Sequence, residues 1–230
     1  MPTPEKITKQ VNDLVRYLVE VSLANDQNFA FQRKIKGGHF EITFPQAEHV
    51  SVSLKDRAYH EIYEHLARER AYVAKMPDGA LVQMMYSFKG ENLERHRLAF
   101  FPAPHLEEFQ NNPDIYLEDD LYADVIAKSI VPIPLRFDYD AREGIHKEIV
   151  HPISHLTLGH YENCRIPVTS PLTPYWFVNF ILRNFYHTAF HKFADRLPIF
   201  EDNFEESIVM SERGVVHIQV PTKLTLAKVL

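Results

Sequence analysis

Apolar residues recur at helical spacing from the start of the chain. Ile7, Val11, Leu14, Val15, Leu18 and Val21 fall on one face, and Thr3-Pro4 ahead of them supplies an N-cap followed by proline at the first helical position. The pattern predicts an amphipathic helix to about Leu23. It then changes to alternation, and residues 39–44 and 50–54, separated by Pro45, read as two short strands. Helical spacing returns in Ala58, Tyr59, Ile62, Tyr63, Leu66 and Ala67, with Ser53 or Asp56 as the cap. Residues 80–88 and 94–101 flank the turn-like Lys89-Gly90-Glu91-Asn92 and predict a hairpin.

Beyond Pro102 and Pro104, an acidic stretch over 119–128 reads as a helical connection. Six of the 15 prolines then lie between Pro132 and Pro174, in a region where 131–140, 150–158 and 165–168 have strand character. Thr173-Pro174 repeats the cap-plus-proline start. It opens a helix, about 173–196, that is apolar on most sides and therefore expected to be buried. Residues 207–210 and 214–220 suggest a last hairpin around Ser211-Glu212-Arg213-Gly214. Because the strands sit in adjacent pairs, the expectation is a single α+β domain over 1–230. Its mainly antiparallel sheet is built from hairpins, with the N-terminal amphipathic helix and the long buried helix packed on it.

Composition narrows the chemistry. At 45% hydrophobic and 24% charged residues, the chain of 230 residues is an ordinary globular protein. Cys164 is the single cysteine, which excludes an internal disulfide and a cysteine-rich zinc site and suits a reducing cytoplasm. Its neighbour Arg165 could activate it, but an isolated cysteine is read as structural. Seven glycines form neither a G-x-G-x-x-G nor a G-x-x-x-x-G-K-[ST] loop, and no G-x-S-x-G is present. The N-terminus lacks the basic-then-apolar run of a signal peptide. The most apolar stretch, 175–182, is too short to span a membrane, so a cytoplasmic protein with no membrane partner is expected. A net charge of −6 does not support non-specific nucleic-acid binding. The two basic patches, Arg33-Lys34-Ile35-Lys36 and Arg95-His96-Arg97, read as solvated faces.

One compositional excess remains. The chain has 13 histidines, and six of them (His146, His151, His155, His160, His187 and His191) fall within 46 residues. Period-2 alternation over 135–140 puts Arg136, Asp138 and Asp140 on one strand face, and in the next strand His155 and Thr157, with His151, share a face. A short loop containing Gly144 joins the two strands, so antiparallel pairing brings both polar faces together. Such a surface has two uses. Asp138, Asp140 and His155 could ligate a divalent metal ion, the one cofactor suggested. Alternatively, Asp138, Asp140, His151 and His155 could perform acid–base catalysis while Arg136, Arg165 and Thr157 contact a phosphate. Ordinary cross-strand pairing of Arg with Asp and His with Thr would give the same pattern with no activity.

Arg183, His187 and His191 at i, i+4, i+8 form a second polar stripe, whose i, i+4 histidine pair could bind metal or be satisfied at a helix–sheet boundary. The absence of the glutamate of H-E-x-x-H excludes a zinc metalloprotease. His155-Leu156-Thr157 matches one half of a paired His-x-Thr/Ser signature that has no second copy here, so no two-histidine phosphoesterase is indicated.

Leu135-Arg136-Phe137-Asp138-Tyr139-Asp140, His151-Pro152, Ser154 to Gly159, Cys164-Arg165-Ile166-Pro167 and Pro171-Leu172-Thr173-Pro174 resemble an uncharacterised bacterial family, domain of unknown function 2290. The resemblance implies a bacterial protein and brings no activity, cofactor or catalytic assignment. Two functions of different kind follow. One is a phosphodiesterase or nuclease associated with defence or mobile elements, working through the Asp/His cluster. The other is a non-catalytic interaction subunit that docks onto a larger protein encoded nearby through the proline-rich 131–174 region.

Overall fold

The computed structural model describes residues 1–54, 57–104, 133–159, 161 and 163–221. The acidic stretch over 119–128, His160 and the candidate cap Asp56 lie outside them. Helix α1 (Pro4–Glu20) begins as its sequence dictates, with Thr3 Oγ1 accepting from the Lys6 amide at 3.4 Å and Pro4 in the first turn. It buries Ile7, Val11, Leu14, Val15 and Leu18.

The sheet contains β1 (Asp26–Gln27), β2 (Phe31–Ile35), β3 (His39–Thr43), β4 (Ala74–Lys75), β5 (Leu81–Lys89), β6 (Asn92–Phe101), β7 (Leu135–Asp140), β8 (Ser154–Leu158) and β9 (Ile166–Pro167). Every strand pair among them is antiparallel, giving an α+β fold. The hairpin β5–β6 is the spine. Its two-residue loop is Gly90-Glu91, and Gly90 sits at φ 61°, a left-handed conformation that glycine adopts without cost. On one side of the spine β6 pairs with β7, β7 with β8 and β8 with β9. On the other, the edge of β5 is shared: β3 takes its C-terminal half (Ile42 opposite Tyr86) and β4 its start (Ala74 opposite Val82).

Residues directly opposite in a ladder share a face. Leu98, Phe100, Leu135, Phe137 and Leu156 therefore form one apolar face, and α3 (Pro174–Phe185) packs on it. Phe137 meets Phe177 and Phe180 edge-on at 6.2 and 5.3 Å between ring centroids. The helix again starts at a Thr-Pro pair, with Thr173 Oγ1 accepting from the Trp176 amide at 3.5 Å.

Four expectations from local pattern are corrected. Residues 50–54 are not a strand: 47–54 form a 3-10 helix. Gln46, at φ 65°, turns the chain out of the sheet, and the amides of Ala47 and His49 bond back three residues to Phe44 and Gln46. Helix α2 (Tyr59–Arg68) has Ala58 and not Ser53 at its N-cap position, and Ala58 makes no side-chain capping hydrogen bond. The long 173–196 helix is three pieces, α3, α4 (His187–Phe193) and a 3-10 turn at Ala194–Arg196. It breaks at Tyr186 (φ −129°, ψ 55°), whose hydroxyl donates to Asp78 Oδ1 at 2.7 Å and approaches Oδ2 at 2.9 Å. Only the first piece is well buried; in α4 Ala189 alone is.

The C-terminal hairpin is absent as well. Ser211-Glu212-Arg213 lies in a short helix, α5 (Met210–Arg213). The flanking arms bond to the 167–170 segment instead of to each other: the Ser207 amide donates to Thr169 O at 2.9 Å and the Ile218 amide to Pro167 O at 2.8 Å. Among the described residues no helix is long and apolar enough to cross a membrane.

Candidate functional site

The face of the sheet opposite α3 is polar, and the register explains why. Arg97, Asp138 and His155 are directly opposite one another on β6, β7 and β8, and Arg136 lies opposite Thr157 and Arg95 opposite Asp140. These residues alternate with the core residues of the same strands. A cleft of about 470 Å³ stands on this face. Its floor includes Arg95, Arg97, Arg136, Asp138, Asp140 and His155. One wall is the 3-10 segment with Ala47, Glu48, Val50 and Ser51, and Glu41, Arg142, His151 and Arg165 are also among the lining residues.

Six of the seven site residues expected from sequence thus share one cleft. The exception is Thr157, on the same face but outside the lining, with a buried Oγ1 that has no hydrogen-bond partner among the described residues. Cys164 is free, half-buried and likewise outside the lining.

The carboxylates are held by arginines. Asp138 Oδ2 accepts from Arg136 Nε, and Asp138 Oδ1 lies 3.5 Å from Arg97 Nε. Burial pushes the Asp138 carboxyl upward, but the guanidiniums of Arg136 and Arg97 outweigh it and hold its pKa below the ordinary aspartate value. Asp140 accepts from Arg142 Nε at 2.8 Å and Nη2 at 2.5 Å. These bonds outweigh desolvation and lower its pKa too. Among the described residues no three His, Cys, Asp or Glu side chains are gathered to hold a metal ion. The ligand set Asp138, Asp140 and His155 is therefore not assembled: both carboxylates are turned onto guanidiniums.

The histidines are held differently. His155 Nδ1 is 2.8 Å from Pro152 O and His151 Nδ1 is 2.9 Å from Ile145 O. A carbonyl can only accept, so each Nδ1 carries a proton and each Nε2 is directed away from the main chain, a lone pair wherever the ring is neutral. No hydrogen bond reaches either Nε2 among the described residues; His155 Nε2 stands 3.9 Å from Asp138 Oδ2. The two rings are 5.1 Å apart. Burial lowers the pKa of His155 more than the Asp138 charge raises it, so this imidazole is neutral near pH 7. The His155 side chain is only 4% exposed, whereas His151 is half-buried.

Two guanidiniums complete the picture. Among the described residues neither Arg95 nor Arg165 has a carboxylate within salt-bridge distance, and Arg165 reaches only Asn163 Oδ1, at 3.4 Å. By sequence pattern Arg95 and Arg97 belong to a solvated patch, and nothing there marks out Arg142. The period-2 alternation of β6 already put Arg95 and Arg97 on one face with His96 on the other. What local pattern lacked was the pairing of β6 with β7.

Of the remaining clustered histidines, the three among the described residues do not join this site. His146 Nε2 bonds the buried Glu212 carboxylate at 3.0 Å. His187 and His191 are on α4, which continues from α3 on the opposite side of the sheet, and neither lines the cleft.

Fold and cleft together define an α+β protein whose antiparallel sheet carries its helical core on one face and a histidine- and arginine-lined cleft on the other. The chain belongs to the uncharacterized conserved protein family DUF2290, whose model matches residues 23–220. No curated protein and no solved structure matches it.

Proposed function

We propose that the cleft is the active site of a phosphodiesterase or nuclease that uses a histidine pair. The observation that carries this reading is the matched state of His151 and His155, each with Nδ1–H tied to the main chain, side by side in an arginine-lined cleft. Neutral His155 is the base: its Nε2 takes the proton of the attacking hydroxyl or water. His151, in its protonated form, is the acid that returns a proton to the leaving oxygen, so each turnover leaves the pair to exchange one proton with solvent. Arg97, Arg136 and Arg165 bind the phosphate and stabilise the charge that builds on its oxygens. Asp138 is a positioning residue. It holds Arg136 and Arg97 and adds negative charge beside the His155 imidazole, which becomes positive during the reaction.

No step passes through a metal ion, because both carboxylates are engaged by guanidiniums. The test is turnover of single-stranded RNA, single-stranded DNA and an activated phosphodiester in the presence of a chelator. Activity should persist in chelator and fall about 10²–10⁴-fold in His155→Ala and in His151→Ala. No turnover of any of the three, or variants as active as the parent, would sink the assignment.

A different observation favours the docking alternative. Ser211 Oγ donates to Glu148 Oε2 at 2.8 Å, which joins the 145–151 loop to α5. Ile149, Val150 and Met210 are exposed on these joined segments, and Val216 follows shortly after. A larger protein encoded nearby would bury them. Co-expression should then give a stoichiometric complex that Val150→Asp disrupts, and a chain that remains monomeric beside its genomic neighbours would count against this reading.

A further inference from the structure

On the side of the molecule away from the cleft, His187 and His191 are both exposed on α4. Their rings stand nearly perpendicular, at 84°, with centroids 4.2 Å apart. Their Nε2 atoms are 2.9 Å from each other. A hydrogen bond at that distance needs the proton on one Nε2 and a lone pair on the other. If the protonated ring exchanges to its Nδ1–H tautomer through solvent, two Nε2 lone pairs converge on one point, with no net loss of a proton.

The separation also selects the ion. Metal–nitrogen bonds to histidine are about 2.0–2.1 Å, so nitrogens 2.9 Å apart subtend an angle of about 90° at a shared ion. That is the cis angle of square-planar and octahedral coordination, which Cu²⁺ and Ni²⁺ favour, and is narrower than the tetrahedral angle zinc takes. We propose that His187 and His191 form a bidentate site for Cu²⁺ or Ni²⁺. Among the described residues no third His, Cys, Asp or Glu completes it, so water fills the remaining positions.

The location gives the site a consequence. Helix α4 has seven residues and follows directly on the break at Tyr186, too short to be stable by itself. A chelate across one turn clips it. Its far end is where Phe193 O accepts from Tyr17 Oη at 2.9 Å, so a clipped α4 also steadies the contact with α1.

The experiment is a titration of the full chain with Cu²⁺, and then with Ni²⁺ and Zn²⁺, by calorimetry and by the visible absorption of the bound copper. His187→Gln, His191→Gln and the double variant are run beside the parent. The parent should bind one equivalent of Cu²⁺ that each single variant binds about tenfold more weakly or worse and that the double variant loses, with Cu²⁺ tighter than Ni²⁺. Excess Cu²⁺ should raise the melting temperature of the parent and leave that of the double variant unchanged. Because both side chains are exposed, the metal-free variants should match the parent by circular dichroism. Should the double variant fail to fold, the single variants decide. Copper binding of equal strength in the parent and in His187→Gln and His191→Gln overturns the proposal, as does a parent that binds Zn²⁺ more tightly than Cu²⁺.

Discussion

His96 lies on the core face of β6, 1% exposed, between the rings of Tyr86 and Tyr139. Its Nε2 accepts from the Leu172 amide at 3.1 Å, which places the ring proton on Nδ1, inside the core. Burial lowers its pKa from 6.5 to about 4. Between these values the unfolded chain holds a proton that the folded one refuses, so ν_U exceeds ν_N and stability rises with pH. The stabilisation is complete above pH 6.5 and is lost as pH falls toward 4. At about 1.4 kcal/mol per unit the loss is about 3 kcal/mol. Urea unfolding of the parent and of His96→Gln at pH 7, 5.5 and 4 measures it. The parent should lose stability across this range more steeply than the variant, and parallel curves would refute the assignment. His155 shifts in the same direction, so part of the slope should survive in the variant.

Among the elements, the starts are set locally and the stops are not. Thr-Pro opens both α1 and α3 because the hydroxyl and the ring act on the first turn alone, and both starts are readable in the sequence. At the break after Phe185, the Tyr186 hydroxyl is bonded to Asp78, more than a hundred residues away, and no local pattern around Tyr186 announces that contact. The same holds for Ser211-Glu212-Arg213-Gly214, a turn by composition, where Glu212 instead accepts from the Val209 amide and pairs with His146. The cleft follows the same division. Alternation within β7 and β8 set out Arg136, Asp138, Asp140 and His155 correctly, whereas Arg97 and Arg95 join them through a pairing that spans the long β6–β7 connection. Tyr186→Phe tests the tertiary stop. Removing the hydrogen bonds to the Asp78 carboxylate should cost about 1.5–3 kcal/mol, read from thermal or urea unfolding. A cost near zero would mean that the chain breaks there for another reason.

Across the whole molecule, charge is distributed unevenly. The chain has a net charge of −6, yet Arg95 and Arg165 face one cleft with no carboxylate within salt-bridge distance among the described residues. If each neutralises a phosphate of a bound single strand, log K against log salt should flatten by about 0.7 for Arg95→Gln and again for Arg165→Gln. Fluorescence anisotropy of a labelled oligonucleotide from 50 to about 200 mM salt reads the slope. An unchanged slope in either variant would remove that arginine from the phosphate path.

The interleaving of core and cleft along β7 also sets what evolution and engineering can do with this chain. Phe137 and Asp138 are neighbours in sequence and point to opposite sides of the sheet. One residue added to or deleted from β7 would exchange the two sets, sending arginines and aspartates beneath α3 and phenylalanine into the cleft. Changes in chain length are therefore confined to the connections, and the 141–153 loop is the place where new specificity can be inserted without turning the protein inside out.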